Sequence, residues 1–169
     1  QVQTIIVESA DTAAERSVVT TGGAEFTDTE VRLQAGSSLE FTVTTKDTYG
    51  NENEEGTKGG ELTVWLKGGE VTVSHVAGGV YEVVAQVGSK GTYNLEVQIA
   101  NVDLFDPPKQ IIVSSGPASA TKSVVLGLVP RGTAGDQAAV TVTPRDRFGT
   151  LCSGAADSGS DGDFVLVVD

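Results

Sequence analysis

The side chains that most often carry out catalysis are scarce in this sequence. It has one histidine, His75, and one cysteine, Cys152, and His75 has no serine or cysteine at a spacing typical of a nucleophile and its base. One histidine and one cysteine are too few ligands for a zinc or iron–sulfur site. We find no acid/base pair of carboxylates, no phosphate-binding loop and no nucleophile elbow. The sequence therefore predicts a protein that is not an enzyme and that uses no cofactor or metal.

Two acidic segments resemble calcium loops only in composition. Residues 51–55 read NENEE, and residues 157–163 read DSGSDGD. The first lacks the alternating spacing of oxygen ligands, and the second lacks a glutamate at the twelfth position of the loop. We therefore expect a solvated charged loop at 51–55 and a flexible connection at 157–163. Cys152 precedes the segment 157–163 in the same predicted loop, and we expect it to be a free, exposed thiol.

The single tryptophan, Trp65, is the strongest candidate for a binding contact. It lies in an alternating segment in which Leu62, Val64 and Leu66 share one face, while Thr63 and Trp65 share the other. Two interpretations stay open from the residues alone. Trp65 is either a partly covered surface side chain that shields neighbouring strands or a contact for a binding partner.

The charge balance excludes several classes of partner. The 169 residues contain 23 Asp and Glu against 11 Lys and Arg, which gives a net charge of −12. Such a chain is repelled by phosphate backbones and by anionic membrane surfaces, so we expect no nucleic-acid binding. No apolar run approaches the roughly 18 residues that span a bilayer, so we expect no membrane insertion by this segment.

Apolar and polar residues alternate with period two along most of the chain, and no helical face is evident. Turn residues separate the alternating segments every 8–12 residues, which is typical of an antiparallel sandwich or barrel. We predict an all-β fold. The predicted strands are A near 17–19, B at 39–45, C at 61–67, D at 70–76, E at 80–87, F at 92–99 and G at 109–114.

An internal repeat indicates how these strands are organised. The segment that begins at Ala35 recurs 99 residues later at Ala134, and the segment that begins at Ile5 recurs 106 residues later at Ile111. A period near 100 residues is the size of one immunoglobulin-like sandwich. We therefore predict one complete repeat at 13–114. Residues 1–9 would be the last strand of a preceding repeat, and residues 117–169 the first three strands of a following one.

Several motifs resemble the filamin-type immunoglobulin repeat. They are AGSSLEFTVTTKDTYGN (35–51), GGELTVWLKG (59–68), GGVYEVVAQVGSKGTYNLEVQI (78–99) and DPPKQIIV (106–113). The strand B motif also resembles bacterial invasin-type immunoglobulin domains, whereas Gly91-Thr92-Tyr93 and the prolines before strand G favour the filamin type. The resemblance implies tandem antiparallel β-sandwiches with a mechanical or scaffolding role, and partner peptides that add along strand C.

Strand addition requires a free sheet edge, and strand C lies at an edge in sandwiches of this type. The tight turn at 67–70 leads from strand C to strand D, so both strands would wall one groove. The predicted protein-binding residues are Leu62, Thr63, Val64, Trp65, Leu66, Val71 and Val73.

The leading hypothesis for function is a non-enzymatic interaction module in a tandem array of a cytoskeletal or ciliary scaffold. Its partners would be a peptide strand or a neighbouring immunoglobulin-like repeat, and actin-cytoskeletal or ciliary proteins through the parent protein. The alternative is a cell-surface or gamete-surface adhesion ectodomain, and a third hypothesis is a bacterial invasin-like stalk. One cysteine and the absence of an Asn-x-Ser/Thr glycosylation signal favour a cytoplasmic or cytoskeletal location, with the cell surface as the alternative.

Overall fold

The period-two pattern produces an all-β, antiparallel structure, as the sequence predicts. The computed structural model describes residues 8–57, 59–127, 135 and 139–152. In that part of the chain the helical structure is one turn of 3-10 helix, Ala14–Arg16. The strands are β1 (Val18–Thr21), β2 (Ala24–Glu25), β3 (Glu30–Gln34), β4 (Ser38–Thr44), β5 (Leu62–Leu66), β6 (Glu70–Ala77), β7 (Val80–Gln86), β8 (Gly91–Ile99), β9 (Val102–Asp103), β10 (Lys109–Ser114), β11 (Val124–Leu126) and β12 (Thr141–Thr143).

The first ten strands form two sheets of five. One has the order β2-β1-β4-β7-β6, and the other has the order β3-β10-β8-β5, with β9 paired to β8. Predicted strands A to G correspond to β1, β4, β5, β6, β7, β8 and β10. Their bounds differ from the prediction by at most a few residues.

Alternation along the central strands fills the space between the sheets. The inward side chains Val43, Leu95, Val97 and Ile99 have no exposed surface. Phe41, two residues before Val43 on β4, is also buried. The same alternation predicts that the polar residues Glu40, Glu82 and Asn94 face water, and all three are exposed. Burial of this apolar surface is the main favourable contribution to the stability of the fold.

The period-two alternation predicts that Leu62, Val64 and Tyr81 face the core, but in the structure all three are only half-buried, which corrects this prediction. Leu62 and Val64 lie on β5, and Tyr81 lies on β7 beside the exposed edge strand β6. An edge strand has a neighbour on one side only, so its inward side chains keep part of their surface in water.

The sequence pattern predicts a connection without strands at 20–34, between predicted strands A and B, and the structure shows that this prediction is wrong. It contains β2 and β3, and β3 forms the outer edge of the second sheet beside β10. Gly22 and Gly23 both have positive φ, and they form the turn between β1 and β2. The glycine pair gives a strong turn signal, which hides the short strands on either side of it.

The described residues divide into two compact units. The first contains 8–33, 37–87 and 92–112, and the second contains 34–36, 88–91 and 113–152. In the second unit β11 and β12 form an antiparallel pair, with Val125 opposite Val142. The strand predicted at 1–9 falls mainly on residues outside the described ranges, and the segment 157–163 and the third strand of the second repeat lie wholly outside them. No helix in the described part of the chain is long and apolar enough to cross a membrane.

Candidate functional site

The edge strand β5 is the candidate binding site. It pairs with β8, and the register places Leu62 opposite Ile99 and Trp65 opposite Glu96. It ends the sheet order β3-β10-β8-β5, so its other side faces no strand of that sheet. The structure thus places the predicted strand C at a sheet edge.

The hydrogen bonds between β5 and β8 show which backbone groups are left for a partner. The N–H of Ala100 donates to the carbonyl of Glu61 at 3.1 Å, which makes that directly opposed pair a hydrogen-bonded pair. Such pairs alternate along an antiparallel ladder, so Thr63 and Trp65 also bond to β8. Leu62 and Val64 occupy the positions between them. Their N–H and C=O groups therefore point away from β8, towards the free edge.

The inner side of β5 meets the first part of β6 in an incompletely covered apolar strip. Leu62, Val64 and Val71 are half-buried, and Val73 keeps 40% of its surface exposed. Leu66 is buried and anchors the end of β5 in the core. Five of the seven predicted binding residues lie on this inner side, and four of those retain surface that a partner could cover.

The outer side of β5 carries the other two predicted residues. Trp65 is 70% exposed, although tryptophan offers more apolar surface than most side chains. Thr63 is half-buried on the same side. The structure thus places Trp65 on the opposite face from the apolar strip, as the alternation of the sequence requires.

The turn between β5 and β6 is fixed by two glycines. Gly68 has a φ of +83°, a conformation that favours glycine. A Cβ atom on Gly69 would lie 2.8 Å from the backbone oxygen of Gln86 and 2.5 Å from Cδ2 of Leu66. The N–H of Gly69 donates to the carbonyl of Leu66 at 3.1 Å. This close approach determines where β5 ends.

Three other edge strands of these two sheets, β3, β6 and β2, carry features that discourage strand addition. The edge β3 displays an ion pair, with Nη2 of Arg32 at 2.5 Å from Oε1 of Glu30. The edge β6 has an irregular register between His75 and Ala77, and β2 has two residues. Charges, bulges and short length are the usual protections of edge strands. By contrast, β5 has a regular register and no charged residue from Leu62 to Leu66.

Asp47, in the turn after β4, organises the loop that leads towards β5. Its Oδ1 accepts the N–H groups of Tyr49 and Asn51, both at 2.9 Å, and its Oδ2 accepts the N–H of Ala10 at 3.1 Å. Burial alone would raise the pKa of Asp47. The side-chain amide of Asn51 and these three N–H groups outweigh burial and lower the pKa from 3.8 to about 2.

The same arrangement occurs around Asp146 in the second unit. Its Oδ1 accepts the N–H groups of Phe148 and Thr150 at 2.9 and 2.8 Å, and its Oδ2 accepts the N–H of Gly116 at 3.1 Å. The sequence repeat aligns Asp146 with Asp47, but the alignment gave no role to either carboxylate. The signal that could have found this role is an aspartate at a strand end with Tyr-Gly or Phe-Gly starting two positions later, which is typical of a side-chain-stabilised turn.

The remaining sequence candidates have structural roles or lie elsewhere. His75, for which the sequence offers no nucleophile partner, donates from Nε2 to the carbonyl of Gly78 at 2.7 Å and so has a structural role. The sequence predicts an exposed Cys152, but this residue is half-buried, with Sγ 3.5 Å from the carbonyl oxygen of Gly116. The segment 51–55 is not wholly solvated either. Asn53 is buried, and its Nδ2 donates to Oγ1 of Thr12.

Two further observations concern groups that could hold a metal or a cation. Within the described ranges, no group of three or more His, Cys, Asp or Glu side chains is placed to bind a metal ion. Sequence reasoning missed Lys109, which is buried with its Nζ 4.9 Å from the ring centre of Phe105 and 5.3 Å from that of Phe26. Its Nζ also donates to the carbonyl of Thr27 at 3.2 Å, so this ammonium is held by the fold itself.

No protein-family model and no curated protein matches this chain. Solved structures do match. The structure of FdeC, an adhesin of Escherichia coli, matches 85% of this chain with a TM-score of 0.54 and 21% sequence identity. The structure of invasin, a bacterial integrin-binding protein, matches 88% of this chain with a TM-score of 0.55 and 18% sequence identity.

A filamin domain, that of Lin-41, is also similar over 63% of this chain and all of its own length, with a TM-score of 0.48 at 15% identity. A score at this level carries no argument for the filamin type. The chain spans 44% of the FdeC structure and 29% of the invasin structure. The likenesses to FdeC and invasin confirm an immunoglobulin-like antiparallel fold, and at identities of 21% and 18% they show the fold alone.

Proposed function

We propose that this chain is a non-enzymatic, immunoglobulin-like interaction segment of a cell-surface protein, which binds a partner by strand addition at β5. The observation that carries the proposal is the open backbone of β5. The N–H and C=O groups of Leu62 and Val64 point away from β8 along an edge without charge or bulge. An extended partner segment would satisfy these groups as the next strand of the sheet.

The apolar strip between β5 and β6 would supply side-chain specificity. Alternate side chains of an added strand would cover Leu62, Val64 and Val73 on the inner side and contact Trp65 on the outer side. Ordering an extended peptide offsets most of the gain from this burial, so we expect a dissociation constant on the order of micromolar.

The charge of the chain favours a basic partner. Asp and Glu outnumber Lys and Arg by 23 to 11. An extended segment that carries lysine or arginine would be attracted to such a chain, and an acidic one repelled. Association with a basic strand should therefore weaken as the salt concentration rises.

The adhesins among the similar structures support a location at the cell surface. They also support two hypotheses from the sequence, the adhesion ectodomain and the bacterial invasin-like stalk, better than the leading hypothesis of a cytoskeletal or ciliary scaffold. The cytoskeletal or ciliary scaffold, with its actin-cytoskeletal or ciliary partners, stays a prediction without support from the comparisons. The matching hydrogen bonds of Asp47 and Asp146 support a second unit of the same kind, which begins near residue 117.

Selection of extended peptides tests strand addition. A displayed library of peptides about ten residues long would be selected on the full chain, and the bound peptides measured against two variants. Val64→Pro removes the N–H that points to the free edge while leaving the bonds to β8 in place, since proline is tolerated on the open side of an edge strand. Val64→Ala is the matched control, because it shortens the same side chain and keeps the N–H.

We expect the selected peptides to bind the Val64→Ala variant within a few-fold of the parent chain and the Val64→Pro variant at least about tenfold more weakly. Amide chemical shifts of β4 and β7 would verify that both variants keep the fold. Peptides that bind the Val64→Pro variant as tightly as the Val64→Ala variant would refute strand addition at β5. A selection that yields no peptide whose binding depends on the N–H of Val64 would also contradict strand addition at β5.

A further inference from the structure

We propose that the outer face of β5 and β8, around Trp65, is a binding platform for a neutral oligosaccharide. This site lies on the opposite face from the apolar strip and goes beyond strand addition. It rests on three observations, which are the exposure of the indole, the depressions beside it and the chemistry of its neighbours.

Trp65 stands between two depressions in the surface. One, of about 680 Å³, is lined by Trp65 together with Lys67, Tyr93 and Asn94. The other, of about 230 Å³, is lined by Trp65 together with Gln98 and Asn101. An exposed indole between two shallow sites suits a ligand of several linked rings, because one ring can stack on the indole while its neighbours occupy the depressions. The apolar C–H faces of a pyranose ring fit an aromatic surface of this kind.

The neighbours of Trp65 can hydrogen-bond to hydroxyl groups. The register places Glu96 directly opposite Trp65, so Asn94 and Gln98 are its diagonal neighbours on β8. Each amide side chain offers both donor and acceptor groups, which is the combination that a sugar hydroxyl, itself donor and acceptor, can use. Gln98 Nε2 donates to Oδ1 of Asp103 at 2.7 Å. This bond holds the amide in one orientation and leaves its oxygen as an acceptor.

The charges on and around this face favour a neutral ligand. Lys67 and Glu96 both line the larger depression, so their charges offset each other locally. The chain as a whole carries a net charge of −12, which repels sulfated or sialylated glycans. An uncharged oligosaccharide avoids this repulsion and still uses the amide and hydroxyl groups around the indole.

The turn after β5 leaves room for an aromatic side chain at the end of the platform. A Cβ atom on Gly68 would lie 3.3 Å from Cε1 of Tyr93, so the ring of Tyr93 rests beside this glycine. Tyr93 lines the larger depression with Trp65. The platform therefore has aromatic groups from both β5 and β8, two strands that the ladder holds in register.

Because Trp65 is the only tryptophan, its fluorescence reports directly on the site. Cellopentaose, maltopentaose and N-acetylchitopentaose would each be titrated into the full chain, with a heparin-derived hexasaccharide as the anionic comparison. We expect at least one neutral probe to give a saturable change in emission, with a dissociation constant on the order of 1 mM or tighter. We expect no saturable change with the heparin fragment.

Substitutions at Trp65 test whether the indole carries the binding, with amide chemical shifts of β5 and β8 as the readout. Trp65→Ala should weaken binding of the neutral probe at least about tenfold, and Trp65→Phe less than that, because a smaller ring remains. Tyr49→Ala is the control, since Tyr49 is an exposed aromatic residue outside the site, and it should leave binding unchanged.

Three results would overturn the platform. They are the absence of a response to every neutral probe, unchanged binding by Trp65→Ala, and stronger binding of the heparin fragment than of any neutral probe. The Val64→Pro variant distinguishes this proposal from strand addition. It should bind the neutral probe like the parent chain, because Val64 lies on the inner face.

Discussion

At the scale of single residues, buried carboxylates at strand ends shape the loops. Asp47 has 1% of its surface exposed and accepts bonds from one side-chain amide and three backbone N–H groups. Such an arrangement is stable only while the carboxylate keeps its charge, since a protonated acid accepts these bonds more weakly. The folded state therefore favours the ionised form of Asp47.

The lowered pKa of Asp47 predicts a loss of stability in acid. The pKa falls from 3.8 in the unfolded chain to about 2 in the folded one, so the contribution of Asp47 is complete above about pH 4 and disappears as the pH falls through about 2. Urea unfolding between pH 5 and pH 2 would measure this loss. Asp47→Asn should flatten the profile in that range, whereas Asp28→Asn, at an exposed position, should not. An Asp47→Asn profile that stays parallel to the parent's would contradict this account.

Leucines of the core and of the edge should differ in their contribution to stability. Leu95 has no exposed surface, whereas Leu62 is half-buried on the edge strand. We expect Leu95→Ala to lower the free energy of unfolding by about 2–5 kcal/mol, and Leu62→Ala by less than half of the value for Leu95. Urea denaturation of both variants compares the same chemical change at two depths. Equal losses would show that β5 is covered in solution.

At the scale of elements, the turn between β5 and β6 depends on backbone proximity. Gly69 leaves no room for a side chain, because its Cβ would lie 2.8 Å from the backbone oxygen of Gln86. Gly88 is a suitable comparison, because a Cβ there would meet its nearest atom at an ordinary 3.7 Å. Gly69→Ala should cost about 1–3 kcal/mol in thermal or urea unfolding, and Gly88→Ala should cost clearly less. Similar costs for the two variants would mean that the turn relaxes around the added methyl group.

The strands of the first sandwich could be predicted because each one alternates and each ends at a turn signal. The segment 92–99, for example, matches β8 to within one residue. The sequence does not reveal β2 and β3, since short strands around Gly22 and Gly23 give no sustained alternation. The surroundings of Trp65 were equally hidden. Its neighbour Glu96 lies 31 positions away in the chain, and only the pairing register brings them together.

At the scale of the whole molecule, one hydrogen-bond pattern occurs in both units. The N–H of Ala13 donates to the carbonyl of Lys46 at 2.7 Å, and the N–H of Ser119 donates to the carbonyl of Arg145 at the same distance. Asp47 and Asp146 accept corresponding backbone bonds beside these contacts. The two segments that the repeat aligns by sequence thus have the same local geometry. The domain limits 13–114 and 117–169 stay a prediction.

The shared pattern predicts a local effect of Asp146 in the second unit. Asp146→Ala removes the acceptor of the N–H groups of Gly116, Phe148 and Thr150. We expect these amides to exchange with solvent at least about tenfold faster in the variant, since their protection depends on that carboxylate. Amide hydrogen exchange would measure it, with the amides of Tyr49 and Asn51 as internal controls. Unchanged exchange at all three positions would show that Asp146 does not hold its loop.

The proposal that β5 is an open edge is tested most directly by amide exchange along that strand. Thr63 and Trp65 donate to β8, whereas the N–H of Val64 points to the free edge. In the dilute chain without a partner, the amides of Thr63 and Trp65 should be protected and that of Val64 should exchange rapidly. Addition of a selected peptide should then protect Val64. Protection of Val64 equal to that of Trp65 in the free, monomeric chain would contradict the account, because it would show that β5 is already paired.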